Sequence, residues 1–208
     1  MKHVLYKVEN ERFVKRLFYG PLKRNMFQRD FYSPFGLTDI LARPDMHELL
    51  MKTAPELKKR GLFLCIYDLY RPWIVQKEMY EGAPENFKEY IAPPPQDDSP
   101  DGLHPRAAAV DCFLLDADGN EMAFPSPPDA YYKGWENDPD FEKVLLACHR
   151  DFMDAPPQML ANRRMLQDIM CAAGLEGDPT EWWHFNLPGP AQQYPVIRSL
   201  DDAVVKTP

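Results

Sequence analysis

Proline restricts where this chain can form helices and strands. The sequence contains 22 prolines, and many of them cluster at residues 93–105 and 125–128. Because proline fixes φ and lacks a backbone N–H, regular elements are expected to end at these clusters. The chain is also 45% hydrophobic and 12% aromatic, a content that supports a buried core and argues against disorder. We therefore predict a folded domain whose prolines stiffen its loops.

Helical and strand patterns fill the segments between the proline clusters. We predict helices over 44–60, 74–80, 141–152 and 157–173 and strands over 62–67, 109–115 and 182–187. Pro55 either interrupts the first helix or starts a second one. Residues 1–40 are expected to form short strands and loops, and the tail after Pro188 is expected to be irregular. Since strands and helices do not alternate regularly, the prediction is an α+β fold and not a parallel doubly wound sheet.

A turn is predicted at 116–120, where the sequence Asp-Ala-Asp-Gly-Asn follows the second strand. Residues 121–124 are expected to return as its hairpin partner. The same segment faintly resembles a calcium-binding loop, but its glycine is in the fourth position and not the sixth, and no glutamate occupies the twelfth. A hairpin turn is therefore the preferred interpretation.

The charge of the chain argues against two classes of partner. Its 24 basic and 32 acidic side chains give a net charge of −8, so a nucleic-acid partner is not expected. No apolar run approaches the roughly 18 residues that a membrane span needs. The first residues also turn polar too early for a signal peptide. Together with four scattered cysteines, these features predict a cytoplasmic protein without a membrane partner.

Two of the five histidines lie beside a carboxylate that could complete a metal site. His104 precedes the predicted strand that holds Asp111, and His184 lies near the start of the last predicted strand. Two histidines and one carboxylate form a three-ligand zinc set that leaves the fourth position for water. For His104 and Asp111 to reach one ion, the loop must fold back at Pro105. The alternative at this point is a pair of buried histidines beside a strand carboxylate. The other three histidines, His3, His47 and His149, are expected to be ordinary surface or capped residues.

Glu181 and Arg71 could supply the rest of a hydrolytic site. Glu181 lies three residues before His184, where a general base for a metal-bound water could lie. Because residues three apart on an ideal strand face opposite sides, Glu181 should precede the strand or lie at a bend. Arg71 follows a buried strand and precedes Pro72. It is therefore either a structural ion-pair partner or a cation aimed into the site.

Three segments, in this order, resemble the motifs of the zinc D-alanyl-D-alanine dipeptidases of the VanX type, within the wider group of D-alanyl-D-alanine metallopeptidases. Residues 67–72 match the family's Tyr-Asp-x-Tyr-Arg-Pro stretch, and residues 181–184 match its Glu-x-Trp-His motif completely. Residues 102–111 match Ser-x-His-x-x-Gly-x-Ala-x-Asp in part. The resemblance covers roughly residues 44–187, which is most of the chain.

The resemblance implies a site and a reaction. It implies one zinc ion per chain with His104, Asp111 and His184 as ligands, Glu181 as general base and Arg71 as the cation that faces the developing oxyanion. The implied fold is a single α+β domain over 1–208, with a motif-bearing core at about 44–187 and residues 1–43 as a packed extension. In this fold, helices flank a central antiparallel sheet that carries the metal. The implied substrate is a small D,D-dipeptide, D-alanyl-D-alanine above all; the residues that bind it are not indicated.

The chain departs from the family pattern at two positions. Gly102 stands where the family has serine, and Ala107 stands where it has glycine. In the family that serine helps to define the amine end of the substrate, so the dipeptide preference is expected to differ. Ala107 adds a methyl group to a tight loop and disfavours a positive φ there. Two alternatives stay open: a D,D-carboxypeptidase or peptidoglycan stem-peptide endopeptidase of the same chemistry, and a non-catalytic zinc-stabilised binding domain.

Overall fold

Helices and two β-sheets make up the fold, as a computed structural model of the chain describes it for residues 2–85, 88, 91–129 and 140–207. The helices in these residues are α1 (Pro44–Arg60), α2 (Trp73–Gly82), α3 (Phe141–Cys148) and α4 (Pro157–Ala172). The strands are β1 (His3–Lys7), β2 (Phe13–Lys15), β3 (Leu41–Ala42), β4 (Phe63–Asp68), β5 (Ala109–Leu115), β6 (Glu176–Gly177), β7 (His184–Asn186) and β8 (Ala203–Lys206). The predicted α+β class is confirmed. None of the described helices has the length and apolar character that crossing a membrane requires.

The larger sheet has the strand order β2-β4-β5-β7-β6. Its four strands from β4 to β6 are antiparallel to their neighbours, as predicted, whereas the edge strand β2 runs parallel to β4. All seven residues of β5 and five of the six in β4 are buried. This explains why both strands appear in the sequence as continuous apolar runs without alternation. The N-terminal segment packs on the same sheet, where the Phe18 ring stacks on Tyr67 at 4.3 Å.

An irregularity in β4 changes which of its residues lie opposite β5. Ile66 pairs with Cys112, so a regular antiparallel register would put Asp68 opposite Val110. The register shifts between Ile66 and Asp68, and Asp68 instead lies opposite Asp111. The shift thus brings two carboxylates to adjacent positions on neighbouring strands.

Pro55 lies inside the continuous helix α1, so neither of the two predicted breaks occurs there. A proline inside a helix costs about 3 kcal/mol, because one backbone hydrogen bond is lost and the ring crowds the preceding turn. The buried face of α1, formed by Met46, Leu50, Thr53 and Leu57, offsets that cost by packing against the core. Gly61 ends the helix with a φ of 69°, as its basic last turn and glycine predict.

Several predicted boundaries are wrong. The tail after Pro188 is not wholly irregular, because β8 pairs in parallel with β1 in a second sheet of order β3-β1-β8. Its Val204 and Val205 are 41% and 42% exposed, so no alternating burial pattern marks this strand. Helix α3 stops at Cys148 and not at 152, β7 begins at His184 and not at 182, and α2 extends over Trp73–Gly82. The predicted hairpin return at 121–124 is reduced to one isolated bridge between Leu115 and Glu121.

Candidate metal centre and active site

Three predicted ligands come together at one end of the larger sheet. One donor atom each from His104, Asp111 and His184 lies within 4.8 Å of the other two. Asp111 on β5 is the register partner of His184 on β7. His104 reaches them because the chain folds back in a 3₁₀ turn over His104–Arg106, which begins at the expected place, next to Pro105. The turn closes where the backbone N–H of Ala107 donates to the carbonyl of His104 at 2.9 Å.

The hydrogen bonds around the two imidazoles leave one nitrogen of each facing Asp111. His104 Nδ1 donates to the carbonyl of Leu69 at 2.8 Å, and its Nε2 lies 3.2 Å from Asp111 Oδ2. His184 Nε2 lies 2.8 Å from Asn186 Oδ1, and its Nδ1 lies 2.8 Å from Asp111 Oδ1. A histidine that donates through one nitrogen keeps a lone pair on the other for a metal. Two neutral imidazoles and a carboxylate suit Zn²⁺, so the donor set fits this ion.

Charge is strongly coupled within this cluster. Burial alone would raise the pKa of Asp111, but His104 and His184 beside it hold that pKa well below its usual range. Burial alone would lower the pKa of His184, but Asp111 and then Glu181 raise it to about 9. The cluster therefore holds a proton that an incoming metal ion would displace.

Glu181 lies at the entrance to β7 and not within the strand. The backbone N–H of His184 donates to the Glu181 carbonyl at 3.1 Å, which closes the turn that the sequence spacing requires. Glu181 Oε2 lies 3.7 Å from His184 Nδ1. Burial raises the pKa of Glu181 to about 7, and Asp111 and Asp178 add to the effect while His184 opposes it. A carboxyl group with this pKa can both accept and return a proton near neutral pH.

Arg71 combines the two roles that its sequence position left open. Its Nε donates to Asp68 Oδ2 at 2.9 Å, its Nη2 donates to the same oxygen, and its Nη1 donates to Gln76 Oε1 at 2.8 Å. Burial lowers the pKa of Arg71, but Asp68 and the tyrosines Tyr19 and Tyr32 more than compensate, so the group stays charged. The guanidinium also lines the cavity that contains the three ligands. Arg71 is thus an ion-pair partner that also faces the site.

The ligands, Glu181 and Arg71 line a cavity of about 860 Å³. Pro93, Pro100 and Pro105 line it as well, so three prolines of the first predicted proline cluster lie around the cleft. His149 is a further lining residue, although the sequence suggested an ordinary helix histidine. His149 follows α3, and the segment after α3 packs against the segment before β7. The backbone N–H of Arg150 donates to the carbonyl of Pro179 at 3.0 Å and holds the two segments together. No sequence pattern predicts this contact.

A further carboxyl residue that lines the cavity, Asp129, was not predicted. Tyr19 donates its hydroxyl to Asp129 Oδ1 at 3.0 Å, and Asp129 Oδ2 is buried without a hydrogen-bond partner among the described residues. Burial raises the pKa of Asp129 well above its usual range, and the charge of Asp111 adds to the rise. An unpaired buried oxygen of this kind is suited to accept a hydrogen bond from a cationic ligand. In the sequence, Asp129 only follows a proline pair and carries no motif.

Arg106 connects the turn that carries His104 to two other segments. It is fully buried, and its Nη1 donates to the carbonyls of Ala191 and Tyr194 at 3.2 and 2.6 Å. Its Nη2 donates to the carbonyls of Gln96 and Ser99 at 2.7 and 3.0 Å. Arg106 therefore fixes both neighbouring segments to the turn that carries His104. No sequence pattern distinguishes it from a surface arginine.

The two departures from the family motif have different structural consequences. Gly102 has a φ of 70°, and a Cβ atom there would lie only 2.7 Å from Pro95 Cγ, so the loop has no room for a serine side chain. Ala107 adopts a φ of 52° although this region favours glycine. The chain therefore keeps the backbone shape of the motif at Ala107 and replaces a polar side chain by a proline contact at Gly102.

Comparison with known proteins agrees with the motifs. The family described as Peptidase_M15, D-ala-D-ala dipeptidase, matches residues 141–203. The D-alanyl-D-alanine dipeptidase of Escherichia coli K12 is 29% identical over 157 residues, which are 76% of this chain and 71% of that protein. The D-alanyl-D-alanine dipeptidase of Streptomyces coelicolor is 46% identical over 39 residues, 19% of each chain.

A solved LD-carboxypeptidase structure overlaps with a TM-score of 0.43 at 15% identity, over 80% of this chain and 71% of that one. A likeness at that level carries no argument about function. The resemblance predicted from the three motifs is confirmed by the sequence matches.

Proposed function

Because this chain is a metallopeptidase similar to the D-alanyl-D-alanine dipeptidases, we propose that it hydrolyses D,D-dipeptides, first of all D-alanyl-D-alanine. In this proposal His104, Asp111 and His184 hold one zinc ion. The observation that supports it most is the approach of their three donor atoms within 4.8 Å, beside a carboxyl group whose pKa is raised to about 7. We include a cytoplasmic location, a small dipeptide as the partner, and no nucleic-acid or membrane partner.

In the proposed reaction, Glu181 and Arg71 have different roles. A zinc ion in this site supplies Lewis-acid chemistry, since it acidifies a bound water and polarises the peptide carbonyl. Glu181 takes the proton of the attacking water at its carboxylate, and the water oxygen bonds to the carbonyl carbon. Arg71 donates hydrogen bonds to the oxygen on which negative charge develops. Glu181 then returns the proton to the leaving nitrogen as the C–N bond breaks, which yields two free amino acids.

The distribution of charge in the cavity favours a short peptide with a free amine. Besides Asp111, four carboxyl residues line the cavity, Asp101, Asp129, Asp178 and Glu181, while Arg71 supplies a buried cation and Lys88 a second one. Asp129 Oδ2 has no partner among the described residues, and an ammonium group of the substrate would satisfy it. Arg71 also has a structural ion pair with Asp68, so the stronger argument is Glu181, which lines the cavity with a pKa raised to about 7; for this reason we favour an enzyme over a zinc-stabilised binding domain.

The Gly102 position leaves one alternative substrate class. Where the family carries a serine, Gly102 lines the cleft without a hydroxyl group, and Pro95 packs against it. A D,D-carboxypeptidase or peptidoglycan stem-peptide endopeptidase would use the same metal chemistry on a longer chain. The two classes differ in how activity depends on peptide length.

Metal analysis followed by a peptide series tests the proposal. We expect about one zinc per chain and hydrolysis of D-alanyl-D-alanine that a chelator abolishes and added zinc restores. N-acetyl-D-alanyl-D-alanine, the L,L-dipeptide and a pentapeptide ending in D-alanyl-D-alanine serve as the comparison substrates. Cleavage of the pentapeptide alone would replace the dipeptidase by the carboxypeptidase or endopeptidase. A zinc-loaded chain that cleaves none of the peptides would support the binding domain.

A further inference from the structure

We propose that Gln76 is a positioning residue that fixes the orientation of Arg71 in the cleft. The inference rests on the proposed peptidase activity, in which Arg71 faces the reacting carbonyl. Gln76 lies on α2, is only 2% exposed, and lines the same cavity as Arg71. It belongs to none of the three motifs, and the sequence did not single it out.

The contacts of Arg71 with Asp68 leave one rotation free. Both hydrogen bonds, from Nε and Nη2, end on the same oxygen, Asp68 Oδ2. A two-oxygen fork would fix the guanidinium plane and its rotation together. Bonds to a single oxygen form a pivot about which the group can swing within its own plane. Asp68 therefore anchors Arg71 without defining where its outer N–H groups point.

The Tyr19 ring and Gln76 remove the remaining freedom in two different ways. Arg71 Cζ lies 4.6 Å from the centre of the Tyr19 ring, a contact that restricts tilting of the guanidinium plane. Gln76 Oε1 accepts from Arg71 Nη1 at 2.8 Å, at the end of the group away from the pivot. A second fixed point away from the pivot stops rotation in the plane. Gln76 therefore limits this rotation from the end opposite Asp68, and the Tyr32 hydroxyl contacts the group as well.

Chemistry also fixes the orientation of the Gln76 amide. The guanidinium has only donors, so it must face the amide oxygen. The carbonyl of Ala92 has only acceptors, and it receives the amide Nε2–H. Both ends of a buried amide are therefore satisfied, and reversing the amide would leave both contacts repulsive. Gln76 cannot turn away from Arg71 without losing its bond to Ala92 as well.

The hydrogen-bond count of Arg71 shows what this orientation provides. A guanidinium carries five N–H groups. Three of them donate to Asp68 and Gln76, and the Tyr32 hydroxyl is a further hydrogen-bond partner of Arg71. The N–H capacity that remains is available to an oxygen atom of a ligand in the cavity. Without Gln76, one more N–H group would be free and the guanidinium would no longer be held at the end away from Asp68.

Gln76 has a second contact that must be separated from its effect on Arg71. Its bond to Ala92 helps to fix the loop that contains Pro95, and Trp73 does the same by donating its Nε1–H to the Pro95 carbonyl at 2.8 Å. Trp73 lies on the same helix and has no contact with Arg71 among the described residues. Trp73→Phe is therefore a matched control that weakens the loop attachment only.

The test compares five variants of the zinc-loaded, full-length chain in D-alanyl-D-alanine hydrolysis. Gln76→Met should lower kcat by about 10–100-fold, because a misdirected catalytic group costs on this order. Its zinc content and melting temperature should stay near those of the wild type. Gln76→Glu keeps an acceptor for Arg71 and should recover most of the rate. Trp73→Phe should change kcat by less than about threefold.

The fourth variant is Arg71→Met, and the fifth combines Gln76→Met with Arg71→Met. If Gln76 acts through Arg71, then adding Gln76→Met to Arg71→Met should change kcat by less than about twofold. A measurement that does not depend on activity is the exchange of the Arg71 Nη protons with water by NMR, which should be faster in Gln76→Met and unchanged in Trp73→Phe.

Four results would overturn the inference. If the double variant had a kcat that is a further factor of about 10–100 below that of Arg71→Met, Gln76 would act on the substrate itself and not through Arg71. An equal loss in Trp73→Phe would assign the effect to the loop, and loss of zinc from Gln76→Met would assign it to the structure of the site. The proposed function fails separately, if the wild-type chain cleaves no peptide. An active wild type with a fully active Gln76→Met variant overturns only the role of Gln76.

Discussion

Asp111 on β5 and His184 on β7 lie directly opposite each other in an antiparallel pair, with Asp111 Oδ1 and His184 Nδ1 2.8 Å apart. On the other side, Asp68 of β4 lies opposite Asp111 because of the register shift in β4. A single row across three strands therefore holds two ligand candidates and the carboxylate that anchors Arg71. Backbone hydrogen bonds set these distances, so the donor atoms are placed before any metal ion arrives.

Glu181→Gln is expected to abolish turnover while zinc stays bound. The amide cannot take the proton of the attacking water, and loss of a general base costs roughly 10²–10⁴-fold in rate. Turnover and zinc content of the same preparation check this expectation. Glu176→Gln, the same change at an exposed residue on β6, is the control and should leave both unchanged. Near-normal turnover in Glu181→Gln would exclude the mechanism.

Asn186→Leu is expected to weaken zinc binding by about 10–100-fold, the usual cost of losing a partner that orients a metal ligand. The amide oxygen lies 2.8 Å from His184 Nε2 and so directs the other nitrogen, Nδ1, toward the metal position. Competition with a chromophoric chelator measures the affinity. Asn186→Asp keeps an acceptor and should lose much less. Equal affinity in the wild type and Asn186→Leu would show that the contact does not orient His184.

Ala107→Gly should change stability much less than Ala109→Gly. Both changes remove a buried methyl group and add unfolded-chain entropy, together worth about 1–2 kcal/mol. Of the two residues, only Ala107 has a positive φ. Glycine adopts this φ without strain, so the substitution there also stabilises the folded state by about 1–2 kcal/mol. Urea unfolding of the zinc-free proteins should place Ala107→Gly within about 1 kcal/mol of the wild type. Equal losses in the two variants would mean that Ala107 is not strained.

Arg106→Lys should lower the free energy of unfolding by about 3–5 kcal/mol, because a lysine cannot reach the carbonyl groups that the buried guanidinium serves. Chemical denaturation monitored by tryptophan fluorescence measures the loss. Arg164→Lys on the exposed side of α4 is the matched control and should stay within about 0.5 kcal/mol of the wild type. A similar small effect at Arg106 would contradict its connecting role.

The ion pairs of Glu121 should make the protein less stable as the pH is lowered into the acid range. A hydrogen bond from Arg24 lowers the pKa of Glu121, despite its partial burial, and Arg16 contributes too. A carboxyl group with a lower pKa in the folded state stabilises above its unfolded pKa of about 4.3, and this contribution disappears as pH falls through the folded value. The stability difference between the wild type and Glu121→Gln should therefore be largest near pH 6 and vanish in acid. A constant difference would show that the pairing is not electrostatic.

The ligand candidates could be found from sequence because their spacing is local and belongs to known motifs. The positions of Asp129 and Gln76 could not be found in this way, since each meets the site through tertiary contacts with residues far away in the chain. Asn186 did carry a usable signal, because a side chain two residues after His184 on a strand lies on the same face. The register shift at Asp68 has no sequence signature, and without it the row of side chains across β4, β5 and β7 would not form.

The parallel pairing of β1 with β8 has a consequence for how the chain is made. His3 lies opposite Ala203, a separation of 200 residues. At roughly 5–20 residues per second, about 10–40 s of synthesis separate the two strands. During that interval β1 lacks one of its partners, although Leu5 within it is fully buried in the finished fold. The five strands of the larger sheet are all synthesised before β8. On the ribosome, the sheet that carries the candidate metal ligands can therefore assemble first, and the smaller sheet closes last.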